Sequence, residues 1–206
     1  MNKILNNICS RTSFLKRETN KKILGKFPHL WLMTDHNRLP NPLAIVEKLP
    51  MGSGVILRDY KHPERYKLAV ELSDLCKNKK ICLLVGADPN LALSINADGM
   101  HLPTFYNYKF RANKFPKNWI VTASAHCKAS LNNASNKGAK VAFLSPVFQT
   151  KSHPNANFLG QIKLAELTNY SDIPVVALGG INSSNVALLR ESGIIGIAAI
   201  SGLMQE

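Results

Sequence analysis

The sequence predicts an α/β protein, a single (β/α)8 TIM barrel, on three observations. Eight short apolar runs alternate with helix-like segments along the 206 residues, as parallel strands do when crossover helices join them. The length suits one well-buried domain rather than two, and no linker rich in Gly, Ser or Pro divides the chain. The last two runs end in Gly179-Gly180 and Ser201-Gly202, small residues at the place where such barrels hold phosphate. A doubly wound open sheet is the alternative fold. It lacks the GxGxxG that should follow its first strand.

Residues 1–28 read as a basic helical segment and 29–206 as the barrel. Leu30–Asp35 is the first strand, and Pro42–Leu49 a short helix with proline suited to its first turn. Gly54–Tyr60 is the second strand, with Arg58 near its C-terminal end. Pro63–Lys77 carries apolar residues at helical spacing. Ile81–Gly86 is the third strand, Pro89–Ile95 a brief helix and Asp98–Leu102 the fourth strand. Pro103–Asn118 is basic and aromatic without clear periodicity. Trp119–His126 is the fifth strand, Lys128–Lys137 a helix and Ala139–Phe148 the sixth strand. A polar loop over Gln149–Asn157 leads to a helix near Gln161–Thr168. Pro174–Leu178 and Gly196–Ser201 complete the sheet, and the usual last helix is truncated.

The formal net charge is +13, of which seven basic residues and Glu18 put +6 in residues 1–26. A surface of this sign attracts phosphorylated substrates, nucleic acid or acidic membranes alike. No RNA-binding aromatic signature or zinc-finger spacing accompanies it, so no nucleic-acid partner is expected. No apolar run reaches the length of a membrane span. The basic N-terminus suits either a targeting segment or, the reading preferred, an amphipathic helix packed on the fold through Ile4, Leu5, Ile8, Phe14 and Leu15. Four cysteines without CxxC or disulfide-framework spacing point to a reducing cytoplasm and to no zinc site.

Pro174–Ser201 carries the clearest site signal. Gly179-Gly180 permits a tight turn and close approach of a ligand to the backbone. Asn182, Ser183 or Ser184 could cap a following helix whose first N–H groups would face an anion.

The motifs LWLMTD, GVILRD, ADGMHLP, SAH, SPVFQTKSHP, PVVALGGIN and GIAAISG resemble, in order and spacing, those of the thiamine phosphate synthase/TenI family over residues 29–202. The resemblance implies two candidate reactions. Synthases join a pyrimidine diphosphate to a thiazole phosphate with Mg²⁺; TenI-type tautomerases isomerise a thiazole phosphate without metal. It also implies a small phosphorylated thiazole as ligand, held by Gly179, Gly180, Ile200 and Ser201, with Arg58, Ser124 and His153 binding substrate. His126 matches the histidine that tautomerases use for proton transfer.

The match is uneven where the synthase chemistry resides. Ile56 and Tyr60 stand where the family's strand-two glutamine and lysine are expected, and Gly86-Ala87 replaces its Asn-Asp pair. Tyr106 stands for a metal-binding aspartate and His153 for a loop lysine. Ionising a diphosphate calls for Mg²⁺ on hard carboxylates, and Asp88 or Asp35 could only partly replace the missing pair. The primary expectation is therefore a tautomerase with His126 as proton carrier and no cofactor. The alternatives are a divergent synthase, with Mg²⁺, and a non-catalytic protein that binds a thiamine intermediate. A homo-oligomer stays open. His101 is expected to be structural, and Lys137 and Lys140 to be solvated surface charges.

Overall fold

In the computed structural model, which describes residues 27–106, 116–150 and 157–203, eight parallel strands close into a barrel in sequence order. They are β1 (Leu30–Met33), β2 (Gly54–Leu57), β3 (Cys82–Gly86), β4 (Gly99–Leu102), β5 (Ile120–Ala125), β6 (Val141–Leu144), β7 (Val175–Leu178) and β8 (Gly196–Ala199). β1 pairs with β2 on one side and with β8 on the other, which seals the cylinder. The crossovers include helices α1 (Pro42–Val46), α2 (Arg65–Lys79), α3 (Pro89–Ser94), α4 (Lys128–Asn136) and α5 (Gly160–Tyr170).

Both faces of the sheet are buried, which is why the strands read as continuous apolar runs rather than alternating ones. Trp31, Met33, Ile56, Leu84, Phe143, Val176 and Ala198 pack inside the barrel. Leu32, Val55, Leu57, Val85, Leu144 and Ala177 pack outside with helix residues such as Leu72, Leu131 and Leu164. Gly54 makes room for the largest interior side chain, since a Cβ there would lie 2.3 Å from the Trp31 ring. That indole donates to the Pro28 carbonyl at 2.8 Å and meets Phe143 edge-on, with centroids 5.5 Å apart.

Three expectations need correction. β6 ends at Leu144 rather than 148, because Pro146 has no N–H to continue a ladder. The helix expected after β7 is a four-residue 3-10 turn, Val186–Leu189. There the polar side chains bond locally: Asn182 Oδ1 accepts the Ser184 N–H at 2.9 Å, and Asn185 Nδ2 donates to the Gly180 carbonyl at 2.8 Å. Such bonds offer the backbone an alternative to a helix. Lys137 is not simply solvated, since its Nζ donates to the Tyr106 carbonyl. The helix proposed for the N-terminus lies outside the described residues, as does most of the unassigned Pro103–Asn118 stretch. After β8 one 3-10 turn, Ser201–Leu203, closes the described chain.

Candidate active site

The C-terminal ends of the strands bring the candidate residues to one mouth, as the barrel topology requires. At the end of β7, Gly179 and Gly180 have φ of +97° and +68°, a region that side-chain-bearing residues rarely adopt. Among the described residues, the N–H groups of Gly180 and Ile181, just past the Leu178–Ala198 pairing of β7 with β8, have no hydrogen-bond acceptor. A pair of such donors next to the β8 end at Ile200 suits an anion. The glycines also serve packing: a Cβ on Gly180 would lie 2.5 Å from the Gln149 carbonyl oxygen, and one on Gly179 would lie 2.9 Å from Pro146. Ser201 opens the last 3-10 turn beside them, and its side chain lies outside the description. Because Val186–Leu189 is so short, no helix N-terminus of the kind expected from Asn182–Ser184 adds to this site.

His126 follows β5 directly and is exposed at the mouth. Its Nδ1 lies 2.7 Å from the Ser145 carbonyl oxygen at the end of β6. A carbonyl can only accept, so Nδ1 carries a proton, and a neutral ring in that tautomer has its lone pair at Nε2. Ser130 braces the backbone there, its Oγ accepting the His126 N–H at 2.7 Å. Ser124, two residues earlier on the same face of β5, bonds to His101 inside the barrel: Oγ to Nε2 is 2.8 Å. His101 Nδ1 lies 2.8 Å from Thr122 Oγ1. Burial, aided by the Arg58 charge, lowers the His101 pKa to about 3, so the ring is neutral. Sequence alternation points His101 inward; nothing in the sequence alone shows that it reaches Ser124.

The β1–β3 side of the mouth is differently built. Arg58 donates through Nη2 to Asp35 at the end of β1, and its own N–H donates to Thr34 Oγ1 at 2.9 Å. Arg38 completes the cluster, 2.8 Å from the same Asp35 oxygen. Burial works to raise the Asp35 carboxyl, but the Arg38 hydrogen bond and the charges of Arg38 and Arg58 outweigh it and hold its pKa below the ordinary value. Asp59 points away from Arg58, as alternation along a strand demands; it is buried and accepts from the His36 ring at 3.2 Å. Asp88 caps α3, accepting the Leu91 N–H at 2.9 Å, and pairs with Arg65 at 3.1 Å. Arg65 also donates to the Gly86 carbonyl at 2.6 Å and lies over the Tyr60 ring. Tyr60 packs against Gly86, where a Cβ would come within 2.9 Å of its ring. Burial pushes its phenol up to about 12, against the pull of the Arg58 and Arg65 charges.

These residues do not fit Mg²⁺. Asp35 and Asp88 are both bound to arginine. Gly86 and Ala87 bring no side-chain oxygen. Among the described residues no three His, Cys, Asp or Glu side chains are grouped to hold a metal. His153 lies outside the described residues.

The comparisons with known proteins agree with one another. A family model described as thiamine monophosphate synthase matches residues 32–203. An Aquifex aeolicus protein named "Putative thiamine-phosphate synthase 2" is 36% identical over 186 residues, covering 87% of this chain and 100% of the relative. A Prochlorococcus marinus thiamine-phosphate synthase is 30% identical over 199 residues; the match covers 94% of this chain but only 56% of that protein. Among solved structures, thiamine phosphate pyrophosphorylase from Pyrococcus furiosus superposes with a TM-score of 0.73 at 28% identity, over 85% of this chain and 86% of that one.

Proposed function

This chain belongs to the thiamine monophosphate synthase/TenI family, and from that membership we propose that it binds a thiazole phosphate at the ends of β7 and β8 and moves a proton on it with His126. The observation that carries the reading is the His126 tautomer. Its Nδ1–H is committed to the Ser145 carbonyl, so the lone pair at Nε2 is free to take a proton from a substrate carbon and return it at another ring position. Histidine suits this work because its ordinary pKa lies near neutrality. The unbonded N–H groups of Gly180 and Ile181, following Gly179, would hold the phosphate. Arg58, whose Nε and Nη1 have no bond to a described residue, would hold a substrate carboxylate.

The relatives favour a second reading. Those described above are named for the synthase or pyrophosphorylase activity, and none for an isomerase. By that reading the chain joins a pyrimidine diphosphate to the thiazole phosphate. The arginine-bound carboxylates of β1–β3 supply no metal seat for such a transfer, which is why proton transfer is placed first.

The test incubates purified protein with the thiazole phosphate isomer alone, and separately with thiazole phosphate and pyrimidine diphosphate, each with and without Mg²⁺. Proton NMR follows isomerisation, because the isomers share one mass; mass spectrometry follows the coupled product. Metal-independent isomerisation supports the first reading, and Mg²⁺-dependent coupling replaces it with the second. Thiazole phosphate binding with no turnover in either assay replaces both with a non-catalytic binding protein.

A further inference from the structure

Inside the barrel, Thr122, His101 and Ser124 form a hydrogen-bonded chain that leads to the mouth. Thr122 and His101 are Cα partners across β4 and β5. Both are buried, at 0% and 1% exposure, whereas Ser124 is half-buried. The His101 ring lies edge-on to Phe143, with centroids 5.3 Å apart, so its surroundings are largely apolar. The two contacts, each 2.8 Å, join one ring nitrogen to each hydroxyl.

A neutral imidazole has one donor and one acceptor, and a hydroxyl has one proton to give. Two directions are therefore open to the chain. In the first, Thr122 donates to Nδ1, Nε2–H donates to Ser124, and Ser124 turns its own proton toward the mouth. In the second, Ser124 donates to Nε2 and Nδ1–H donates to Thr122. The Thr122 proton then needs an acceptor elsewhere. Among the described residues the Thr122 hydroxyl bonds only to His101, so the second direction leaves a fully buried donor unsatisfied. A charged ring would do the same, and burial with the Arg58 charge already disfavours it. The first direction satisfies every buried group and leaves its one free proton at the solvent-facing end.

We propose that Thr122, acting through His101, locks Ser124 as a hydrogen-bond donor, so that the ligand atom meeting Ser124 is an acceptor: an oxyanion or an unprotonated ring nitrogen. His101 and Thr122 are positioning residues. The ligand half of this inference rests on the thiazole phosphate reading; the direction of the chain does not.

Nitrogen-15 NMR of histidine-labelled, ligand-free protein at neutral pH reads the His101 ring directly. The expected result is a neutral ring protonated at Nε2 and bare at Nδ1. A neutral ring protonated at Nδ1, or a charged ring, overturns the proposal. The ligand half is tested by titrating thiazole phosphate into folded Thr122→Val and Thr122→Ser proteins. Val removes the buried donor and should weaken binding roughly three- to tenfold, about the worth of one hydrogen bond; Ser should keep wild-type affinity. Unchanged affinity in Thr122→Val overturns the ligand half. If wild type itself binds no thiazole phosphate, the functional reading fails, and the resonance still decides the direction of the chain.

Discussion

At the β7 end of the mouth, the successive N–H groups of Gly180 and Ile181 have no bond to a described residue, and His126 beyond β5 presents an unbonded Nε2. At the ends of β1–β3 the carboxylates are already bonded: Asp35 to Arg58 and Arg38, Asp59 to His36, Asp88 to Arg65. The open side has donors and a base to offer a ligand; the carboxylates of the closed side are already held by basic side chains. Substitutions on the open side should therefore change turnover or binding. Those at the paired carboxylates of the closed side should change stability and its pH dependence.

The largest effect is expected at His126. His126→Asn keeps a polar side chain of similar reach and removes the titrating nitrogen. Turnover should fall roughly 10²–10⁴-fold with thiazole phosphate affinity nearly kept, measured by NMR assay and titration. Equal turnover in wild type and variant would break the open half of the comparison. Beneath both halves lies His101, whose pKa is lowered to about 3 in the fold, against about 6.5 in an unfolded chain. The unfolded chain takes its proton first on acidification. Stability is therefore complete above about pH 6.5 and falls progressively as pH drops below it toward pH 3. Urea unfolding at several pH values should show this slope, and His101→Gln should flatten it.

Gly180→Ala sharpens the comparison from the open side. The left-handed φ and the Gln149 carbonyl 2.5 Å from any Cβ should cost about 1–3 kcal/mol of stability, read by the same unfolding experiment. Weakened ligand binding in this variant reports on fold as well as contact, so Gly180 is a poor probe of the phosphate alone. On the closed side, Asp35→Asn should cost only about 1 kcal/mol, and less at high salt. The folded pKa of Asp35 is lowered, so its contribution is present above the unfolded value of about 3.9 and disappears as pH falls through the folded value. The stability gap between wild type and Asp35→Asn should close below that range. A gap that persists in strong acid would show that the ion pair is not its cause.

The barrel was legible because strands buried on both faces leave an unmistakable apolar rhythm, and the glycines after β7 mark a turn that local geometry alone demands. Strand ends were less so: Ser145-Pro146 stops β6 early, and the Asn182–Asn185 bonds replace a helix with a 3-10 turn. The sequence placed His126 and Ser124 at the mouth but not the carbonyl that fixes one or the histidine that holds the other. Asp35 and Asp88 read as possible metal ligands from their positions. Their arginine partners Arg58 and Arg65 lie 23 residues away in each case, a pairing that depends on which strands adjoin and on how far long side chains reach.

The open side should work without the metal that the closed side cannot seat. Calorimetric titration of wild-type protein with thiazole phosphate, in chelator and then in excess Mg²⁺, tests this most directly, with pyrophosphate plus Mg²⁺ titrated alongside. The expected result is equal thiazole phosphate affinity in both buffers and no binding of magnesium pyrophosphate. Magnesium pyrophosphate binding that is lost in Asp88→Asn would contradict it.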